Sequence, residues 1–357
     1  MSRILAVAPV LAPYRYPQRE ITDALADFVT TDTERHGLLR RLHDATGVRT
    51  RHLALPLERY GDLGGFGPAN DVFISVGLDL AERAVREALD SAGLRPQDVD
   101  IVLATSVTGV AAPSLDARLV GRLGLRPDVK RLPVFGLGCV AGAAGIARLH
   151  DHLVGHPDDV AVLVSVELCS LTVQHDDAST ANLVASGLFG DGAAAVGLAG
   201  ERRARALAAA GPDVVATRSR FYPDTERVMG WDVGGSGFRV VLAASVADVV
   251  ERHLGDDVRD FLEERDLKSA DMARWVAHPG GPKVLQAMQR SLDLPEGALD
   301  ITWRSLAEVG NLSSASVLHV LAGTLAGPAP AEAAYGLLLA MGPGFCAELV
   351  LLHWTAG

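Results

Sequence analysis

Along this chain, short unbroken apolar stretches alternate with stretches whose apolar residues recur every three or four positions. Residues 99–106, 160–166 and 192–198 are almost wholly apolar, which predicts strands buried on both faces. Residues 4–10 and 132–135 read as strands too. Over 71–92, Val72, Val76, Leu80, Ala84 and Leu89 keep near-helical spacing, so a long helix is expected. The second half repeats the theme. Helices are expected over 241–264, 282–292 and 312–326, and strands over 273–277, 335–341 and 345–353. This alternation signals a layered α/β fold. The pattern breaks between 200 and 215, at E-R-R-A-R and a Gly-Pro, which divides the chain into halves 1–205 and 206–357. The halves look like a pseudo-duplicated βαβ arrangement.

Composition narrows the possibilities. A chain of 357 residues, 48% of them apolar, can bury a large core and exceeds one typical domain. A net charge of −11 argues against nucleic acid or an anionic membrane as partner. The longest apolar runs fall short of the roughly 20 residues that span a bilayer. The N-terminus M-S-R-I-L-A-V-A-P-V does not read as a signal peptide. Three cysteines, Cys139, Cys169 and Cys346, suit a reducing cytoplasm rather than a disulfide framework.

The densest chemistry lies in V-F-G-L-G-C-V-A-G-A-A-G, where an apolar strand runs through glycines into Cys139 and then a helix of small residues. A thiol at a helix N-terminus meets free backbone N–H groups and the positive end of the helix dipole, which favour the thiolate. Gly136, Gly138 and Gly142 allow sharp turning and close approach to the sulfur. Two more residues stand at strand or loop junctions with helices: His278 in A-H-P-G-G-P-K and Asn311 in G-N-L-S-S-A-S. Alone, each also fits a structural role, as core thiol, turn imidazole or helix cap. As a set they supply an acyl-carrying nucleophile, an imidazole, and a carboxamide donor for an oxyanion.

With these motifs in hand the chain resembles the type III polyketide synthases, the chalcone synthase-like branch of the thiolase-fold condensing enzymes, and within it the bacterial alkylresorcinol and alkylpyrone synthases. G-L-G-C-V-A-G, L-F-G-D-G-A-A-A-V, H-P-G-G-P-K, G-N-L-S-S-A-S and M-G-P-G-F occur in the family's order over the whole length. The resemblance implies a layered αβαβα thiolase fold. It implies Cys139 as nucleophile, with His278 and Asn311 as the decarboxylation and oxyanion pair. Phe189 and Phe238 fall where the family places gatekeeping aromatics. Cys169 and Thr172 fall where it lines the product cavity, and Gly344 lies in its closing Gly-Pro-Gly loop. Coenzyme A contacts fall to Arg41, Gly280, Gly281 and Lys283, where plant members carry a small residue in place of Lys283. A homodimer is implied, with residues 108–114 as the loop that crosses into the partner and Ala112 at its tip.

The implied reaction loads an acyl-CoA primer on Cys139 and extends it by decarboxylative condensation with malonyl-CoA. Cyclisation then yields a resorcinol, phloroglucinol or pyrone. No metal or redox cofactor is implied. A fatty acyl primer is expected to sit in an alanine-rich cavity; a short branched starter and malonyl-CoA alone are the alternatives. The nearest rival is a β-ketoacyl-acyl-carrier-protein synthase III-like enzyme, whose histidine motif typically reads H-Q-A-N rather than H-P-G-G-P-K.

Overall fold

A computed structural model describes residues 1–355 apart from 30, 31, 176, 329 and 331. Its strands are β1 (Ser2–Leu11), β2 (Tyr14–Pro17), β3 (Thr50–Leu53), β4 (Ile101–Ser106), β5 (Lys130–Phe135), β6 (Val160–Leu168), β7 (Asp191–Gly200), β8 (Asp213–Phe221), β9 (Met229–Gly234), β10 (Gly237–Leu242), β11 (Met272–Ala277), β12 (Ala334–Gly342) and β13 (Cys346–Trp354). Its helices are α1 (Gln18–Val29), α2 (Thr33–Ala45), α3 (Phe66–Ser91), α4 (Leu115–Leu123), α5 (Ala141–Gly155), α6 (Thr180–Leu188), α7 (Glu201–Ala206), α8 (Val246–Glu263), α9 (Pro282–Ser291), α10 (Asp300–Val309) and α11 (Ser316–Leu325).

The duplication is written in the strand order. The main sheet runs β11-β12-β13-β8-β1-β7-β6-β4-β5. In the first half β4 pairs parallel with β6, β6 antiparallel with β7, and β7 antiparallel with β1. In the second half β11, β12, β13 and β8 repeat those senses in that order. The halves meet where only Ser2 and Arg3 of β1 pair with Val214 and Asp213 of β8.

Burial explains the layers. Every residue of β6 and of β7 is buried, as unbroken apolar runs require when both faces of a strand are covered. Helix α3 covers the outer face of β1, β6 and β7. Helices α5 and α11 pack between the halves, with Ile146, Leu149, Val317 and Leu321 in a core that also takes Leu163, Val196, Leu338 and Val350. Helices α8 and α9 close the far side over Trp275, Leu337 and Leu349. This is the αβαβα arrangement of a thiolase-like fold. No helix among the described residues is long and apolar enough to cross a membrane.

Two sequence expectations fail in their first residues: the helix expected from 312 begins at Ser316, after a 3₁₀ turn over Ser313–Ala315. The helix expected from 241 begins at Val246, because Val241 and Leu242 belong to β10, which pairs with β9 as a hairpin. Gly235 and Ser236 make the turn that reverses the chain, and Gly237, at φ +103°, opens β10 opposite Gly234.

Candidate active site

Strand β5 delivers the chain to Gly136, and Cys139 sits in a single 3₁₀ turn, Gly138–Val140, that runs into α5. Two glycines set how closely other segments approach it. A Cβ on Gly138 would lie 2.6 Å from Cδ of Pro343. A Cβ on Gly142 would overlap the carbonyl of Ser314 and lie 2.7 Å from Val317. Without side chains there, the Gly342–Gly344 loop closes over the nucleophile turn and the Ser313–Ala315 turn packs directly against α5. The second contact carries residues of the far half to the sulfur: Cys139 Sγ lies 3.7 Å from the Ser313 hydroxyl.

His278 directly follows β11, with its backbone N–H held by the Leu339 carbonyl at 3.0 Å. It is 3% exposed, yet neither ring nitrogen has a hydrogen-bond partner among the described residues. Buried polar groups left unpaired are rare and costly, so this imidazole is set for a partner that arrives with a ligand. Asn311 is fixed from the other side. Its Oδ1 accepts from the backbone N–H of Ser313 at 2.8 Å and from the Ser316 hydroxyl at 3.3 Å. That leaves the amide nitrogen as the end available to the cavity.

Cys139, His278 and Asn311 line one cavity, walled by Leu188, Phe189, Met229, Leu242, Val246, Gly280, Val284, Met288, Met341 and Phe345. A second cavity on the sulfur adds Val107, Cys169, Trp231, Val240, Ser313 and Pro343. A third, reached past Cys169, Phe189, Trp231 and Val240, adds Thr172, Asn182 and Ala185. Phe189 lines all three.

The electrostatics correct the expectation of a resting thiolate. Burial pushes the Cys139 thiol up to about 12, against the opposing pull of the Ser313 hydroxyl, and the Glu167 carboxylate pushes the same way. Burial alone pushes the His278 imidazole down to about 3. Burial therefore favours a neutral thiol and a neutral imidazole. A single charge is disfavoured there, so the reactive form is made by moving the thiol proton to the imidazole, which creates two opposite charges together.

The remaining expected residues separate. Cys169 and Thr172 lie on the cavity walls. Gly280 lines the catalytic cavity, and Gly281, at φ +133°, turns the chain into α9 against Leu188. Lys283 is exposed on the first turn of α9, beside the lining residue Val284. Arg41 is exposed on α2, away from these walls. Gly344 backs onto Phe221 and Cys346, while its neighbours Pro343 and Phe345 face the cavities. Ala112 is exposed on its loop and lines none of the three cavities around Cys139.

Phe238 is a correction. It is not a wall residue of these cavities but packs edge-on against Phe66, with ring centroids 5.2 Å apart, and beside Phe135 and Trp231. Its ring belongs to an aromatic cluster, and Trp231 and Val240 of the same hairpin take the wall positions. The alanine-rich cavity is a second correction. Ala193–Ala195 of β7 are wholly buried between the packed layers, and the walls carry Phe, Trp, Met, Leu and Val.

Two buried carboxylates escaped the sequence reading. Glu167 accepts from the Val107 N–H at 3.1 Å, the Thr108 hydroxyl at 2.9 Å and the Ser314 hydroxyl, tying both halves together beneath Cys139. Asp191 accepts from the backbone N–H groups of Ala54 at 2.7 Å and Ser170 at 2.8 Å. The signal was a charge set in an otherwise apolar run, V-S-V-E-L in one case and D-G-A-A-A-V in the other.

Residues 213–356 match the C-terminal domain of chalcone and stilbene synthases, and residues 78–211 match the FAE1/type III polyketide synthase-like proteins. A 1,3,6,8-tetrahydroxynaphthalene synthase of Streptomyces peucetius subsp. caesius is 59% identical over 98% of this chain and 93% of its own. A phloroglucinol synthase of Pseudomonas fluorescens is 32% identical over 99% of each. The crystal structure of 1,3,6,8-tetrahydroxynaphthalene synthase from Streptomyces coelicolor, 31% identical, matches with a TM-score of 0.93 over 99% of this chain and 100% of that one. The chain belongs to the type III polyketide synthases, condensing enzymes of the acyltransferase type.

Proposed function

We propose that this enzyme uses malonyl-CoA as both primer and extender and releases a polyhydroxylated naphthalene. The observation that carries the chemistry is His278, buried with both ring nitrogens unpaired in the cavity that also holds Cys139 and Asn311. The substrate choice is supported by 59% identity to a tetrahydroxynaphthalene synthase and by bulky cavity walls, which suit a short primer better than a long alkyl tail.

The steps follow from the geometry. As a malonyl thioester arrives, the Cys139 proton moves to His278, and the sulfur attacks the carbonyl. The coenzyme A thiol leaves with the proton from His278. The next malonyl thioester places its carbonyl oxygen between the His278 N–H and the Asn311 amide. Its carboxylate leaves as carbon dioxide, and the bonding pair becomes an enolate whose oxygen these donors stabilise. The enolate carbon attacks the Cys139 thioester and frees the sulfur, leaving the lengthened chain on the extender's coenzyme A; the sulfur then attacks that thioester and expels coenzyme A, so the chain is carried on Cys139 again. A ten-carbon naphthalene corresponds to five malonyl units, each giving up one carbon dioxide. Arg41 and Lys283, both exposed, are proposed to meet the coenzyme A phosphates.

The test is incubation of purified protein with malonyl-CoA alone. Coenzyme A release and a naphthol product by mass spectrometry are expected. Turnover that requires a long-chain acyl-CoA would overturn the primer assignment, and turnover that requires a carrier protein would overturn the reading as a whole.

We also propose a homodimer formed at the β5 edge. Among the described residues strand β5 pairs only with β4, and Leu132 and Phe135 on it are 41% and 53% exposed, with Val110 exposed nearby. An open apolar edge calls for a cover, and a second copy supplies one through a two-fold axis. Light scattering should give twice the chain mass, falling to one chain mass in Leu132→Glu. A variant that stays dimeric would remove this edge as the interface.

A further inference from the structure

Outside the catalytic residues the fold holds a fully buried cation. Arg51, on β3, is 2% exposed and touches none of the three cavities around Cys139. Its Nη1 donates to the Phe189 carbonyl at 2.7 Å, and its Nε donates to Gln18 Oε1 at 2.9 Å. Gln18 in turn donates to the Gly187 carbonyl at 2.7 Å. The arginine stem fills the space left by two glycines: a Cβ on Gly310 would lie 3.2 Å from Arg51 Cγ, and one on Gly190 would lie 3.7 Å from Arg51 Cβ.

These contacts converge on one short bridge. The Asn311 N–H donates to the Leu188 carbonyl at 2.9 Å, and the Gly190 N–H donates to the Asn311 carbonyl at 2.9 Å. Phe189, between those two partners, is the residue whose carbonyl Arg51 holds. We infer that Arg51 is a positioning residue for the condensation, its guanidinium fixing the Leu188–Gly190 segment and thereby the placement of the Asn311 carboxamide and the Phe189 ring against Cys139. The inference rests on the function proposed above.

Two physical points favour this over a packing role. Burying a guanidinium costs more than burying an apolar side chain of equal volume, and an Arg used only as filler is readily replaced by one. Its counter-charge, Asp191, is spent on the N–H groups of Ala54 and Ser170 rather than on a direct ion pair with Arg51. The fork geometry is also specific. One rigid plane serves Gln18 and Phe189 together, which a single ammonium on a flexible stem does not reproduce.

Arg51→Lys keeps the charge and loses the fork. The expected result is a folded protein whose Cys139 is alkylated by iodoacetamide within threefold of wild type. Its kcat for malonyl-CoA decarboxylation should fall at least tenfold, with KM changed less than threefold. Gln18→Met, which severs one tine of the fork and leaves Arg51 in place, should lower the same kcat about threefold, and it decides the matter if Arg51→Lys does not fold. Decarboxylation unchanged in Arg51→Lys overturns the inference. So does a loss of decarboxylation and alkylation in proportion to a lowered thermal midpoint, the signature of a merely structural residue. Wild-type protein that does not decarboxylate malonyl-CoA at all removes the proposed function, and this inference with it. An active wild type with an unimpaired Arg51→Lys removes the inference alone.

Discussion

Exchange of His278 for alanine should silence both half-reactions, lowering malonyl-CoA decarboxylation by ~10³-fold and alkylation of Cys139 at neutral pH by ~10²-fold. The reason lies in where the charges sit. Burial pushes the thiol up to about 12, so a lone thiolate is disfavoured at neutral pH. The imidazole, held near 3 by burial, gains no proton from solvent either. Only transfer from one to the other gives an ion pair whose mutual attraction offsets the loss of hydration. Without the imidazole that route is closed, and alkylation should then rise with pH at unit slope through the alkaline range. In the wild type the pair forms internally, so the rate should flatten near neutrality. The measurement is the pH profile of iodoacetamide incorporation by intact mass. Coincident profiles for the two proteins would show that His278 does not activate the sulfur.

Much of this site was legible in the chain, and the parts that were not share a cause. The Cys139 turn was readable because its glycines are local requirements: Gly138 and Gly142 sit where a Cβ would strike Pro343 or Val317. The buried strands were readable because β6 and β7 contact apolar layers on both faces. The ionisation of Cys139 was misjudged, since a helix N-terminus is visible in sequence whereas the burial that outweighs it is a property of the assembled layers. Phe238 was placed on the cavity because a position in a motif says nothing about which neighbours compete for the ring, and here Phe66, Phe135 and Trp231 claim it. The hairpin that carries it was hidden for a similar reason, as the apolar Val240, Val241 and Leu242 lead without interruption toward α8. Arg51, Glu167 and Asp191 gave a weaker signal: Glu167 and Asp191 fall just outside the strands expected over 160–166 and 192–198, and Arg51 lies in a stretch assigned no element. Their meaning depends on partners 138, 147 and 137 residues away in Phe189, Ser314 and Ala54.

Asn311 allows the two halves of the mechanism to be separated. Asn311→Ala should lower decarboxylation 10²–10³-fold, the ~2.7–4 kcal/mol lost when one donor is removed from an oxyanion site. Alkylation of Cys139 should change far less, because the thiol proton goes to His278. The alanine variant carries a stability cost as well. It abandons the Ser313 N–H and the Ser316 hydroxyl, which Asn311 Oδ1 now accepts, and a buried donor left unpaired costs about 1–3 kcal/mol. Asn311→Asp removes that ambiguity, since a carboxylate oxygen can keep both bonds while the donor to the enolate is gone. If the carboxamide nitrogen is what stabilises the enolate, the aspartate variant, whose carboxylate also repels the enolate, should lose at least as much decarboxylation as the alanine variant, at a different thermal midpoint. A decarboxylation loss that instead tracks the thermal midpoint, or an aspartate variant within tenfold of wild type, would reduce Asn311 to a structural support for the Ser313–Ala315 turn and leave His278 as the sole donor to the enolate.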